Sequence, residues 1–358
     1  MQEAGAVHAV LNYMNGRRGE EGYMELAREL ADFLGSVEQR LGSMLADGDA
    51  GPGVKGDTLM EAARHLCIGT GGKRARPMLV RLFGGAVGVA PETLVDVAVA
   101  SEMIHSSSLL HDDVVDAGMY RRARPTVNAR WGNIVAVMSG DLILSTALHR
   151  LAHLDPRLTQ TALAVVVEMS RAAITEVEAR GNLDLPLERL RFIAEGKTGS
   201  LFGWCGSAAA TLAGQPEAAQ RFDLFGRRFG VAFQIADDIR DVLGTDPGKP
   251  RYADVLSGTP SLPILLAVAR DGSLKGKLKD AWAFTTVNAE RTRAIGDAIE
   301  ATGAVELALE RMNRELDAAV DALGPYAQQG MGTELVDWVR KLSVGMSAQA
   351  QEQRSRAA

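Results

Sequence analysis

PETLVDVAVASEMIHSSSLLHDDVVD, residues 91–116, reads as one unbroken helix and sets the fold class. Pro91 and an acidic first turn open it, and the next breaker is Gly118. Residues four apart on a helix share a face, with Cβ atoms ~5–6 Å apart, so Asp112 pairs with Asp116. His105, Leu109, Asp112 and Asp116 form one stripe, whereas Asp113 points about 100° away and is expected to support rather than ligate. A second cluster, QIADDIRD at 234–241, repeats the pattern with Gln234, Asp237, Asp238 and Asp241. Burying several carboxylates is costly unless cations neutralise them. Two such clusters on apolar helices therefore point to hard divalent ions between facing helices, holding a diphosphate. Oxygen-only ligands suit Mg2+, which keeps several waters and bridges carboxylate to phosphate. A solvated acidic face is the bland alternative for one copy, but two copies in apolar settings argue against it. His111-Asp112 also resembles the His-Asp pair of metal phosphohydrolases, yet only His105, His149 and His153 lie nearby.

Outward from this helix the chain reads as helical almost throughout, with no alternating strand pattern. Helices are expected over 24–45, 58–69, 156–180, 186–211 and 215–243, and again from 261. Loops are expected at 47–57, 70–77, 118–126 and 244–260, the last long enough to be functional. The closing QEQRSRAA is expected to fray. These elements predict an all-α, large single-domain helix bundle, with an extension at 1–23, a catalytic domain at 24–345 and a tail at 346–358.

Of 358 residues, 46% are apolar and the net charge is −6. That balance excludes a general nucleic-acid binder, whose domain would be basic. Only Cys67 and Cys205 occur, so a disulfide framework is excluded and a reduced, cytoplasmic setting is expected. No stretch approaches ~20 uninterrupted apolar residues, and the first residues lack a secretory pattern. A soluble chain without a membrane span is the expectation.

Basic groups complete the motif set. GGKRARP at 71–77 carries Lys73, Arg74 and Arg76 beside glycines that let backbone approach an anion. Arg121, Arg122 and Arg124 follow the first aspartate cluster. Arg forks match phosphate oxygens and Lys adds a point charge. Alone, either cluster reads as a surface patch. With the carboxylates they imply two anionic groups, one held by metals and one by basic side chains. Lys197-Thr198, in EGKTGSLF, is expected to open a helix, and Lys249 lies in the 244–260 loop.

GGKRARP, LLHDDVVD followed by Arg-Arg, GKTGSLF and FQIADDIRD, in this order, resemble the trans-polyprenyl diphosphate synthases over about residues 24–345. The resemblance implies an isoprenoid synthase fold around a central cavity. It implies a homodimer that condenses an allylic diphosphate with isopentenyl diphosphate, head to tail. Asp112, Asp116, Asp237 and Asp241 would hold three Mg2+ ions around the allylic diphosphate. Arg121, Lys197, Thr198, Gln234 and Lys249 would contact that group, and Lys73, Arg76, His105 and Arg122 would hold isopentenyl diphosphate. Diphosphate departs as an allylic cation forms, so charge stabilisation on the leaving group is what the site must supply. Two positions depart from the family pattern: Ala123 replaces a glycine after the Arg pair, and Thr259 stands where a lysine is common.

In such enzymes the tail grows alongside the helix before the first aspartate cluster. Ser107 lies five residues before Asp112 and Ser108 follows it, so no aromatic floor closes the tunnel there; Ile104, Met103 and Ser101 lie deeper. Asp112 to Ser101 spans ~16 Å of helix, enough for several isoprene units, and a long-chain product is expected. The alternatives are a farnesyl or geranylgeranyl diphosphate synthase, a class I terpene cyclase, or a non-catalytic regulatory subunit of a heteromeric synthase. A cyclase would need no GGKRxRP site, and a regulatory subunit would typically have lost aspartates.

Overall fold

A computed structural model describes residues 21–46, 57–69, 72, 74–122, 124–245, 250–282 and 289–357. Lys73 and Lys249 lie outside the described residues. The chain groups into two compact units. One comprises Met1–Val166, Trp204–Phe222 and Pro325–Leu335; the other comprises Val167–Gly203, Asp223–Gly324 and Val336–Ala358.

In the first unit the helices are α1 (Glu21–Met44), α2 (Thr58–Cys67), α3 (Ala75–Ala86) and α4 (Pro91–Val115). A short antiparallel pair follows, β1 (Tyr120–Arg121) with β2 (Arg124–Pro125). Then come α5 (Val127–Trp131), α6 (Asn133–Leu154) and α7 (Pro156–Ala179), the last running on into the second unit. Asp57 caps α2 by accepting from the amides of Leu59 at 2.9 Å and Met60 at 3.2 Å, satisfying donors the helix leaves open. The expected helix at 91–116 stands within one residue as α4. It is buried around most of its circumference, at Leu94, Val97, Met103 and Leu110 among others, because α6, α3 and α1 all pack on it. A β-carbon at Gly140 of α6 would fall 2.4 Å from His111 Nε2. A side chain there would have to displace the His111 ring at the end of α4 that carries the aspartates. The β1–β2 hairpin escaped the sequence reading because two-residue strands carry no period-2 signal.

The chain holds no uninterrupted apolar run of ~20 residues, yet among the described residues one helix, the 22-residue α6, is long and apolar enough to cross a membrane by length and composition alone. Asp141, His149 and Arg150 interrupt its apolar run. One flank of α6 packs on α4, burying Ala136, Ile143, Ala147 and Leu151.

The second unit holds α8 (Leu187–Ala194), a π-helical turn (Glu195–Gly199) and the start of α9 (Ser200–Leu212). It also holds most of α10 (Pro216–Leu243), then α11 (Ala253–Ser257), α12 (Leu262–Arg270), α13 (Ser273–Trp282), α14 (Ala289–Ala301) and α15 (Ala304–Leu323). A 3-10 turn (Gly324–Gln328) precedes α16 (Gly332–Ala357). The end expected to fray is therefore helical through Ala357. Phe229 anchors the core of this unit, with ring centroids 5.6 Å from Phe225 and 5.5 Å from Trp338.

The crossing of α10 with the segment 199–203 rests on glycine. A β-carbon at Gly226 would sit 2.3 Å from the Gly203 nitrogen, and one at Gly230 would sit 2.4 Å from Gly199 Cα. Backbone meets backbone there. Lys197-Thr198 therefore opens no helix: it lies in the π turn of a rod continuous from Leu187 to Leu212, a distortion often found at functional sites.

Candidate active site

Asp112 and Asp116 close α4. The Asp116 amide donates to the Asp112 carbonyl at 2.8 Å, which confirms that the two residues are one helical turn apart. Asp113 is 5% exposed and receives Arg121 as a fork, Nη2 at 2.7 Å and Nε at 3.1 Å. Its supporting role was legible from helix angle; its partner was not. After Asp116 the chain turns through Ala117, at φ 49°. Thr126 Oγ1 then donates to the Gly118 carbonyl at 2.7 Å, and Asn128 Nδ2 donates to the Asp113 and Gly118 carbonyls.

Two turns earlier on α4, the half-buried His105 stands among arginines. Burial, followed by the charges of Arg76, Arg121, Arg122 and Arg74, holds its imidazole well below the usual histidine range. Burial also draws the Arg76 and Arg122 guanidiniums down. A β-carbon on Gly72 would meet Arg122 Nη1 at 3.0 Å, so Gly72 and Arg122 lie side by side. Arg74, Arg122 and Ala117 are left-handed, with φ of 47°, 51° and 49°. Strain of this kind costs about 1–3 kcal/mol per residue and persists where surroundings over-determine it.

On α10, Asp237 is paired with Arg240 at 2.6 Å while remaining 45% exposed. Gln234 Nε2 donates to Asp238 Oδ1 at 3.1 Å, and the Leu262 amide donates to Asp238 Oδ2 at 3.1 Å. Burial, then the charge of Asp254, raises Asp238 well above the carboxylate range. Asp241 accepts the amides of Ala253 at 2.8 Å and Asp254 at 3.2 Å. Tyr252, at φ 63°, fixes that turn: its amide donates to the Asp241 carbonyl at 3.1 Å, and its hydroxyl lies 2.9 Å from Asp297 and 2.6 Å from Glu300. Lys197 is paired with Glu176 of α7. Thr198 reaches α10 through the glycine crossing, one turn before Gln234. Thr259 Oγ1 meets Ser257 Oγ at 2.7 Å, just beyond α11.

Of the expected length-setting residues, Ser107 and Ile104 are buried. Ser108 is half-buried and donates to the His105 carbonyl at 2.7 Å. Four residues from Asp112, Ser108 shares its face; Ser107 is turned about 140° away. His149 and His153 face each other at 3.2 Å on α6, so they do not join His111 in a phosphohydrolase set. Sequence reasoning missed Glu38, Glu102, Glu176 and Tyr252, because lone acids and a lone tyrosine carry no spacing signal.

The donors fit a hard divalent ion. Among the described residues no group of three or more His, Cys, Asp or Glu closes on a metal. The chain offers carboxylate pairs and leaves other positions to water and phosphate, as Mg2+ sites do. Asp238 is raised first by burial and only then by the neighbouring charge of Asp254.

Residues 57–299 match the family described as Polyprenyl synthetase. Heptaprenyl diphosphate synthase component 2 of Geobacillus stearothermophilus is 37% identical over 87% of this chain and 96% of its own length. A (2E,6E)-farnesyl diphosphate synthase of Mycobacterium bovis is 34% identical over 70% of this chain and 73% of its own. A polyprenyl synthase from Caulobacter crescentus CB15, solved with calcium and isoprenyl diphosphate, superposes with TM-score 0.81 at 25% identity, covering 89% of this chain and 96% of that one. With its all-α architecture and both aspartate motifs in place, this chain belongs to the polyprenyl synthetase family and is a prenyltransferase of the trans-prenyl diphosphate synthase type.

Proposed function

We propose that this chain extends an allylic diphosphate with isopentenyl diphosphate, head to tail, to a long-chain trans-polyprenyl diphosphate, releasing pyrophosphate. One observation carries the reading. The Asp112–Asp116 pair and the His105 cradle occupy one stripe of α4, seven residues or ~10 Å of rise apart, so two anion sites of different chemistry stand side by side.

In this reading Asp112, Asp116, Asp237 and Asp241 hold three Mg2+ ions. When bound, they would neutralise charge developing on the departing diphosphate. Arg121, kept in place by Asp113, and Lys197, Thr198, Gln234 and Lys249 contact the same allylic group. Lys73, Arg76, His105 and Arg122 hold isopentenyl diphosphate directly. With its pKa depressed, His105 is a neutral hydrogen-bond partner near pH 7 rather than a charge. No side-chain base is assigned, since the departing diphosphate can take the proton. Thr259 in place of lysine removes one charge from the allylic side.

The long-chain product rests on Ser108, small and on the Asp112 face, and on a heptaprenyl-forming relative; Ser107 and Ile104 line the same helix. The farnesyl-forming relative keeps the short-chain reading as the alternative. A homodimer is supported by α6, whose outer face exposes Ile134 (81%) and Met138, since an apolar face of this kind calls for a partner. A second reading, a heteromer, is favoured by the word "component" in the name of the Geobacillus relative. Cytoplasmic placement is proposed from the reduced cysteines.

Incubation with Mg2+, farnesyl diphosphate and labelled isopentenyl diphosphate, followed by product chromatography, tests the whole. Long-chain polyprenol after dephosphorylation is expected. A sole C20 product would defeat the long-chain reading, and activity only with an added subunit would favour the heteromer.

A further inference from the structure

Arg74 is the basic residue of GGKRARP that the proposed substrate contacts leave without a task, and it is the most thoroughly tied. It is 7% exposed, although it opens α3 from a left-handed backbone. Its guanidinium donates to Glu102 of α4 at 2.6 Å, to the Cys67 carbonyl at the end of α2 at 2.7 Å, and to both carboxylate oxygens of Glu38 on α1. Four helices of one unit meet on this side chain. Glu102 is also buried, and its charge acts on Arg74, Arg76 and Arg122 together. It lies three residues from His105, on the same side of α4.

A buried carboxylate beside a diphosphate site needs explaining, because it repels the ligand. Guanidiniums crowded together in a poorly solvated pocket also repel one another, and their mutual approach needs a counter-charge until substrate arrives. We propose that Glu102 is a positioning residue for the isopentenyl diphosphate cradle, fixing the start of α3, and with it Arg76, through Arg74 and screening Arg76 and Arg122 while the cradle is empty. The proposal rests on the reading of Arg76, His105 and Arg122 as that cradle. Glu38 is the second anchor, holding the far edge of the same guanidinium. Losing the Glu102 charge removes a repulsion, which alone would tighten binding. The lost orientation outweighs it, because a buried Arg74 cannot recruit water to replace a 2.6 Å charge-assisted bond.

The test compares wild type with Glu102→Gln and Glu38→Gln, using Arg76→Ala as reference. Isopentenyl diphosphate binding is measured calorimetrically in EDTA without primer, and KM for each substrate is measured with Mg2+. Glu102→Gln is expected to weaken isopentenyl diphosphate binding and raise its KM at least tenfold, with KM for farnesyl diphosphate changed less than threefold. Glu38→Gln is expected to shift the same constant by a smaller factor, and it serves if Glu102→Gln fails to fold by circular dichroism. Unchanged or tighter binding, or equal rises in both KM values, would overturn the proposal. If Arg76→Ala leaves the isopentenyl constant unaltered, the cradle itself is misassigned and the proposal goes with it. A weakening by Arg76→Ala alone rejects only the positioning role.

Discussion

His105 shows how one side chain reports its surroundings. Its imidazole is desolvated and ringed by Arg76, Arg121, Arg122 and Arg74, all of which disfavour its proton. The unfolded chain takes that proton near pH 6.5 and the folded chain only well below it. Between those values the unfolded state binds more protons, so this residue's contribution to stability falls as pH drops through the window. The C2 proton of His105 is accordingly expected not to titrate between pH 8 and 6.5 by NMR, and to move upward when a diphosphate ligand offsets the arginines. A midpoint near 6.5 in the free protein would contradict the described environment. Ser108 supports a second expectation. Ser108→Phe places a ring on the Asp112 face and should shorten the product by several isoprene units, as chromatography would show. Ser107→Phe acts at a buried position and should also shorten the product, with a stability cost of about 1–3 kcal/mol from overpacking.

Among the elements, the crossing of α10 with the 199–203 segment positions both the π turn and the second aspartate motif. Gly226→Ala would drive a methyl group into the Gly203 backbone, with no flexible side chain to yield. A loss of about 3 kcal/mol is expected, read as a lower melting temperature, together with reduced kcat from displacement of Lys197 and Thr198. An unaltered melting curve would show that the crossing is loose. These contacts were not legible in the sequence: a glycine four residues from another is common, and only the paired backbones reveal why it is required. By contrast α4 and α10 were legible to within a residue or two, because their apolar periodicity is long and uninterrupted. The left-handed Arg74, Arg122 and Tyr252 were illegible for the opposite reason, since backbone strain is imposed by distant partners such as Glu38, Glu102, Asp297 and Glu300.

Across the whole molecule, the all-α architecture followed from the absence of alternating patterns, and the spacing of the aspartate motifs placed Asp112 with Asp116 and Asp237 with Asp241 a helical turn apart. Glu38, Glu102 and Glu176, which hold other side chains in place, stayed hidden. The central proposal is that the carboxylate pair of α4 and that of α10 would each hold divalent ions that assist the departure of diphosphate. Its most direct measurement is isopentenyl incorporation against Mg2+ concentration for wild type, Asp112→Asn and Asp237→Asn. Both variants are expected to fold and to lose kcat by at least ~10³-fold, in keeping with the scale of lost transition-state charge stabilisation, while isopentenyl diphosphate still binds in EDTA. Near-normal, metal-independent turnover in either variant would contradict the account.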